Sequence, residues 1–250
     1  MSINHTKLIE EDVETGGKEE TDTDEIKIDF AYNNNVHNAN LNIRLGFLRK
    51  VYGLLSIQLL LTVVIAGTFM AVEPLKLFVQ QNAWTFLLSF VITMGTLVAL
   101  FIKRRDHPVN LILLTLFTLA ESYTIGIIVS MYDVSTVLEA LFITLTVMIG
   151  LTVFTFQSKR DLSISSSGLF IGLWILLLGG FMQIFIQSTK LEFALCIAGA
   201  VIMSIFIVYD TRLLMHTLSP EEYILATINI YLDVINLFLY ILRILAISKN

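Results

Sequence analysis

The chain is poor in nearly everything that soluble domains are rich in. Only 15% of its 250 residues are Asp, Glu, Lys or Arg, against about 25% in an average soluble domain. There are three prolines and a single cysteine. One cysteine, Cys196, excludes an intrachain disulfide and any cysteine-based metal site. The four histidines, His5, His37, His107 and His216, all fall in polar stretches, which argues against a histidine-metal hydrolase at membrane depth. No phosphate-cradling glycine loop, nucleophile elbow or Ser/His/Asp set occurs in the apolar stretches. An enzyme is therefore not expected, no cofactor is called for, and nothing points to nucleic acid.

What remains is apolar. Hydrophobic residues make up 56% of the chain and the mean hydropathy is +0.78, values of an integral membrane protein. The apolar residues come in seven runs, at about 46–70, 84–102, 109–131, 134–156, 168–187, 191–214 and 223–247. Each is long enough to cross a bilayer as a helix, which takes roughly 20 residues. The connections are short, so consecutive helices are expected to be antiparallel neighbours. The fold class is thus an all-α membrane protein, a seven-helix transmembrane bundle over residues 44–250. Gly179-Gly180 and Ala198-Gly199-Ala200 read as helix-packing or kink positions.

Charge is divided unevenly. Residues 1–40 hold ten acids between Glu10 and Asp29 against Lys7, Lys18 and Lys27, so the remainder is slightly basic. Residues 1–43 read as an acidic, largely disordered tail, with 26–41 as a candidate docking segment. With no basic leader before the first apolar run, that run is expected to direct insertion itself. Arg44, Arg49 and Lys50 precede the first run, Lys103, Arg104 and Arg105 follow the second, Lys159 and Arg160 the fourth, and Arg212 the sixth. By the positive-inside rule these connections and the N-terminus are cytosolic. Seven full spans then leave Arg243 and Lys249 on the opposite side, whereas a re-entrant seventh segment would return them, and backbone that dips into protein is physically allowed.

Ionisable groups in apolar runs are costly and mark functional sites by default. Asp210 lies near the cytosolic end of the sixth run, and Asp233 lies about ten residues, or ~15 Å, into the seventh. The two runs form a hairpin, so the carboxylates can approach from facing helices. Two such groups cannot both ionise cheaply, and a pair that shares a proton is sensitive to pH. The same oxygens suit calcium, as a bound or permeant ion. Arg104 enters from the same side and can compete with a cation for Asp210. Asn229 and Asn236 flank Asp233 at helical spacing, which predicts a polar stripe facing a cavity or another helix.

Other acids are more ambiguous. Glu121, mid-span beside Ser122 and Tyr123, reads equally as a protonated Glu bonded between helices or as a point on an ion path. Ser219-Pro220-Glu221-Glu222 reads first as a helix start, with Ser219 as N-cap and Glu222 completing a capping box.

Six ordered motifs converge on one resemblance. They are Phe47-Leu48-Arg49-Lys50-Val51-Tyr52-Gly53, Tyr132-Asp133-Val134, the run from Gly150 to Asp161 (GLTVFTFQSKRD), Tyr209-Asp210-Thr211, Leu218-Ser219-Pro220-Glu221-Glu222-Tyr223, and the run from Tyr231 to Leu239 through Asp233. Over residues 44–248 the chain resembles the transmembrane Bax inhibitor motif family, in its Golgi anti-apoptotic, Lifeguard-type branch. The resemblance implies helix pairs around a central seventh helix and a pH-sensitive calcium leak pathway in Golgi and endoplasmic reticulum membranes that lowers store calcium and restrains apoptosis. It also implies that Asp210 and Asp233 sense calcium and protons. The gating arginine would be Arg104, with Lys103 and Arg105 as neighbouring alternatives, and Glu221 and Glu192 would lie on the ion pathway. Partners implied are the lipid bilayer, calcium, protons and other apoptosis or calcium-handling membrane proteins. Two further classes stay open: a non-conducting scaffold acting through partner proteins, and a proton-coupled transporter.

Overall fold

A computed structural model describes residues 41–82, 84–158 and 166–249. The acidic segment of residues 1–40, with most of the candidate docking stretch, lies outside the described residues, as do Lys159 and Arg160. The helices are α1 (Leu41–Ala71), α2 (Glu73–Gln81), α3 (Trp84–Lys103), α4 (Val109–Val129), α5 (Val134–Gln157), α6 (Ser166–Ile186), α7 (Thr189–His216) and α8 (Tyr223–Lys249). A 3-10 turn, Pro220–Glu222, leads into α8. Seven of these elements are long and apolar enough to cross a membrane. α1 starts at Leu41, so the last residues of the stretch read as tail are already helical.

Between the first two apolar runs the chain supplies local reasons for the breaks. Pro74 occupies the first turn of α2, where a missing N–H costs nothing. Asn82 closes that helix with its side-chain amide on the Phe78 carbonyl, and the Thr85 hydroxyl donates to the Asn82 carbonyl. α2 itself is an addition to the seven expected elements, a short helix that buries Val79 against Phe69 and Ile127.

The polar residues inside the spans are mostly Thr and Ser. Thr62, Thr118, Thr144, Thr155 and Thr227 each donate to the carbonyl four residues earlier. This satisfies the hydroxyl within its own helix, as a membrane interior demands. Close helix approach uses small residues: a Cβ on Gly199 would meet the Tyr240 ring at 2.5 Å, and one on Gly126 would meet Phe69 at 2.9 Å.

α8 is the centre of the bundle. Its buried residues run through Tyr223, Thr227, Tyr231, Val234, Phe238 and Leu242 and include positions on nearly every side. α7 is its most extensive partner, followed by α5 and α1. By contrast α6 buries only Leu169 and Leu176 and touches mainly α7, so it is a peripheral helix. α8 is unbroken from Tyr223 to Lys249. Tyr223 meets Lys50 and Asn110, while Arg243 and Lys249 meet Tyr132, Glu139 and Glu192. The helix therefore runs the length of the bundle, and the turn that a re-entrant segment needs is absent from it.

Candidate functional site: a buried aspartate pair on α7 and α8

The faces of α7 and α8 explain why Asp210 and Asp233 are inside. On α7, Met203, Ile207, Asp210, Thr211 and Leu214 are all buried, spaced by three and four residues on one helical face. Asp233 lies between buried Ile230 and Leu237 on the central helix. Asp210 is 9% exposed and Asp233 is 8% exposed, so neither carboxyl escapes to the membrane surface. The two groups lie within hydrogen-bonding reach of each other. A hydrogen bond between carboxyls requires a proton between them, since an ionised carboxylate only accepts. Asp233 Oδ2 is buried without a partner, an open hard-oxygen acceptor.

Among the described residues no three His, Cys, Asp or Glu side chains converge as a metal site. A calcium ion at the pair would therefore draw its remaining ligands, out of six to eight, from carbonyls, hydroxyls and water.

A second polar group lies beside the pair. The Tyr52 hydroxyl on α1 reaches Thr152 on α5 and Thr211 on α7, yet none of the three oxygens completes a well-aligned hydrogen bond. Further along the bundle, Thr62 bonds Ser122 and Tyr231, each at 2.9 Å, tying α1, α4 and α8 together. Nothing in the sequence pointed to either cluster, because each draws residues from helices far apart in the chain.

Arg104 is engaged elsewhere than expected. Its Nη2 lies 3.2 Å from Glu222 Oε1, and Arg105 Nη2 shares the same oxygen at 2.8 Å. Lys103 pairs with Asp106 at 2.8 Å on the exposed turn. The acid that holds the arginines is thus Glu222, whose place in the sequence suggests only a cap. The capping box is correspondingly incomplete: Ser219 Oγ accepts from the Glu221 N–H at 3.4 Å, but the Glu222 carboxylate turns to the arginines. Two charged donors outbid one backbone N–H.

Glu192 is paired as well. It sits in the first turn of α7 and forms an ion pair with Arg243, which also approaches the Tyr132 hydroxyl at 3.5 Å. Glu221 is exposed beside Lys50, Arg105 and His107. Glu121 is half-buried, on the same α4 segment as Ser122 and close enough to interact with Tyr231. The polar stripe around Asp233 does not hold: Asn236 is exposed, and its amide donates to the Leu232 carbonyl at 2.9 Å. Its own helix backbone satisfies it, so it requires no cavity.

The chain matches the family model "Inhibitor of apoptosis-promoting Bax1" over residues 44–250. It is 45% identical to the Golgi anti-apoptotic protein of vaccinia virus (strain Lister) over 225 residues, 90% of this chain and 95% of the viral protein. It is 45% identical to Protein lifeguard 4 of Mus musculus over 226 residues, with the same coverage of each. Bax inhibitor 1 of Schizosaccharomyces pombe is 39% identical over 210 residues, 84% of this chain and 79% of the yeast protein. With a bundle of seven membrane-length helices and a match that runs through all of them, the chain belongs to the Bax inhibitor family of multi-pass membrane proteins.

Proposed function

We propose that the chain is a Golgi membrane protein that restrains apoptosis by letting calcium leak from intracellular stores, with Asp210 and Asp233 as its calcium and proton sensor. The names of the viral and fungal relatives support the anti-apoptotic part, and the viral name supports the Golgi. The endoplasmic reticulum is a second site in this reading, and the arginine-rich end of the bundle faces the cytosol. The observation that carries the sensor is the pair of buried carboxyl groups facing each other across α7 and α8. A shared proton lets the helices stay together. Loss of that proton leaves like charges in a low-dielectric site, which must separate or take up a cation. Calcium is a fitting cation, because carboxylate oxygens are its preferred ligands.

Arg104 is the gate in this reading. Held by Glu222 in the present arrangement, it would exchange that partner for Asp210 and compete with calcium there. Purified protein in liposomes should then pass calcium in a pH-dependent way. Asp233→Asn, checked for an unchanged helical fold by circular dichroism, should lose both the flux and its response to pH. A variant with the flux and pH response of the parent removes the assignment.

A further inference from the structure

At the arginine-rich end of the bundle a cavity of about 590 Å³ opens between the start of α1, the α3–α4 connection and the turn before α8. Its volume falls within the range of small-molecule sites, about 300–1,000 Å³. Its lining includes Lys50, Arg105, His107, Asn110, Glu221 and Tyr223. Asn110 is 1% exposed. Its amide donates to the Arg104 carbonyl and to the Tyr223 hydroxyl, each at 3.0 Å, which settles the orientation of the group. Asn110 Oδ1 is then a buried acceptor with no donor, a condition that costs about 1–3 kcal/mol unless something supplies a proton.

Apart from Glu221, the charged lining is basic. Lys50 Nζ lies over the Tyr223 ring, 3.3 Å from its centroid, so its ammonium is held by a π face and keeps its N–H donors. Arg105 is mostly exposed and uses one nitrogen on Glu222, leaving further donors of its planar fork. His107 is exposed at the rim. A bare metal cation is disfavoured beside a lysine and an arginine. A simple anion satisfies the basic groups but offers nothing to Asn110 Oδ1 or to the Glu221 carboxylate. A ligand that carries both a phosphate and free hydroxyls satisfies the basic groups and Glu221, and it reaches Asn110 Oδ1, which is closed to solvent, once the cavity wall gives locally.

We infer that this cavity is a binding site for a phosphorylated polyol, held by Lys50, Arg105 and His107 at its phosphate and by Asn110 and Glu221 at its hydroxyls. The site lies at the ends of the membrane-length helices, where the headgroup of an inositol phospholipid and a soluble inositol phosphate offer the same chemistry. The inference does not depend on calcium conduction, and its test reads binding alone.

Full-length protein in detergent is titrated with dioctanoyl phosphatidylinositol 4-phosphate, followed by native mass spectrometry. Soluble inositol 1,4-bisphosphate and dioctanoyl phosphatidylserine are run in parallel. One equivalent of the phosphoinositide should bind, and Lys50→Ala and His107→Ala should each weaken it about tenfold, the scale of one lost charge-assisted contact. His107 is exposed, so that variant keeps the test independent of folding. Equal binding of the soluble bisphosphate supports the site and assigns it a soluble ligand; binding only with acyl tails supports it and assigns a lipid. Equal binding of phosphatidylserine, no adduct at all, or unchanged affinity in both variants overturns the inference.

Discussion

The two ends of α8 follow opposite electrostatic rules. At its C-terminal end every cation is matched: Arg243 meets Glu192, and Lys249 meets Glu139 at 2.9 Å and Thr136 at 3.1 Å. Nearer its start, Asp233 faces another acid, and the nearby arginines are held by Glu222 in the turn before the helix. Matched charges define a single arrangement. Two carboxyl groups that shared a proton would define an arrangement that losing the proton or gaining a cation could change. The helix is anchored at one end by its ion pairs, and the other half carries the proposed sensor.

The comparison breaks most directly at Asp233. Asp233→Asn should lower calcium flux into liposomes by an order of magnitude or more, on the order of the tenfold that each 1.4 kcal/mol of lost ion affinity represents. It should also raise the melting temperature at neutral pH, because a neutral amide replaces a group that is costly to ionise inside the membrane. A lowered melting temperature would mean that the pair stabilises the bundle and is not poised.

Next in size is the packing that both ends share. Gly199→Ala pushes a methyl group into the Tyr240 ring and should cost about 1–3 kcal/mol, as overpacking of a filled core does. Gly180→Ala, where a Cβ meets nothing within 4 Å, should leave the detergent melting temperature unchanged. A Gly199→Ala protein that melts no lower than the Gly180→Ala protein would show that α7 and α8 can part without loss.

The anchored end should respond more mildly. Arg243 and Glu192 are partly exposed, with 44% and 26% of their side chains accessible, so solvent screens the pair. A double-mutant cycle with Arg243→Ala and Glu192→Ala should give a coupling of about 1 kcal/mol. Flux should keep its pH dependence in both variants. A loss of pH response there would move the sensor to the other end of the helix.

The smallest effects separate the basic residues. Arg104→Ala should raise the calcium leak about two- to threefold if its charge competes with calcium, a sub-kcal/mol effect for a half-exposed side chain. Lys103→Ala, which loses only an exposed contact with Asp106, should leave the leak as it is. The reverse ranking in the same flux assay would assign the gate to Lys103.

Much of the fold was legible in the residue order. The seven apolar runs lie within a few residues of the helices, because spanning length and the absence of charge are local properties. Gly199 was legible as a packing position for the same reason. The short helix α2 was not, since its nine residues carry only a weak apolar face and depend on Phe69 and Ile127 for burial. Asp210 and Asp233 were legible as a candidate site because a charge in an apolar run stands out.

The partners of the charges were less legible. Glu222 looked like a cap because its neighbours in sequence suit one; the arginines that claim it are 117 and 118 positions away. Asn236 looked like part of a polar stripe because it stands three residues from Asp233. On a helix that offset rotates the side chain by about 60° from Asp233, enough on α8 to carry it from the buried face to the exterior. Arg243 reads as misplaced in the sequence because its partner, Glu192, stands 51 positions earlier.

By itself the sequence determined that this chain lives in a membrane, that seven of its segments are long and apolar enough to cross it, and that two acids lie within the last hairpin. These follow from the energy of placing each residue in lipid, a sum over local segments. Which acid meets which base was decided by the tertiary structure alone. An ion pair depends on the rotation and height of helices distant in the chain, and those are set by packing against α8, not by neighbours in sequence.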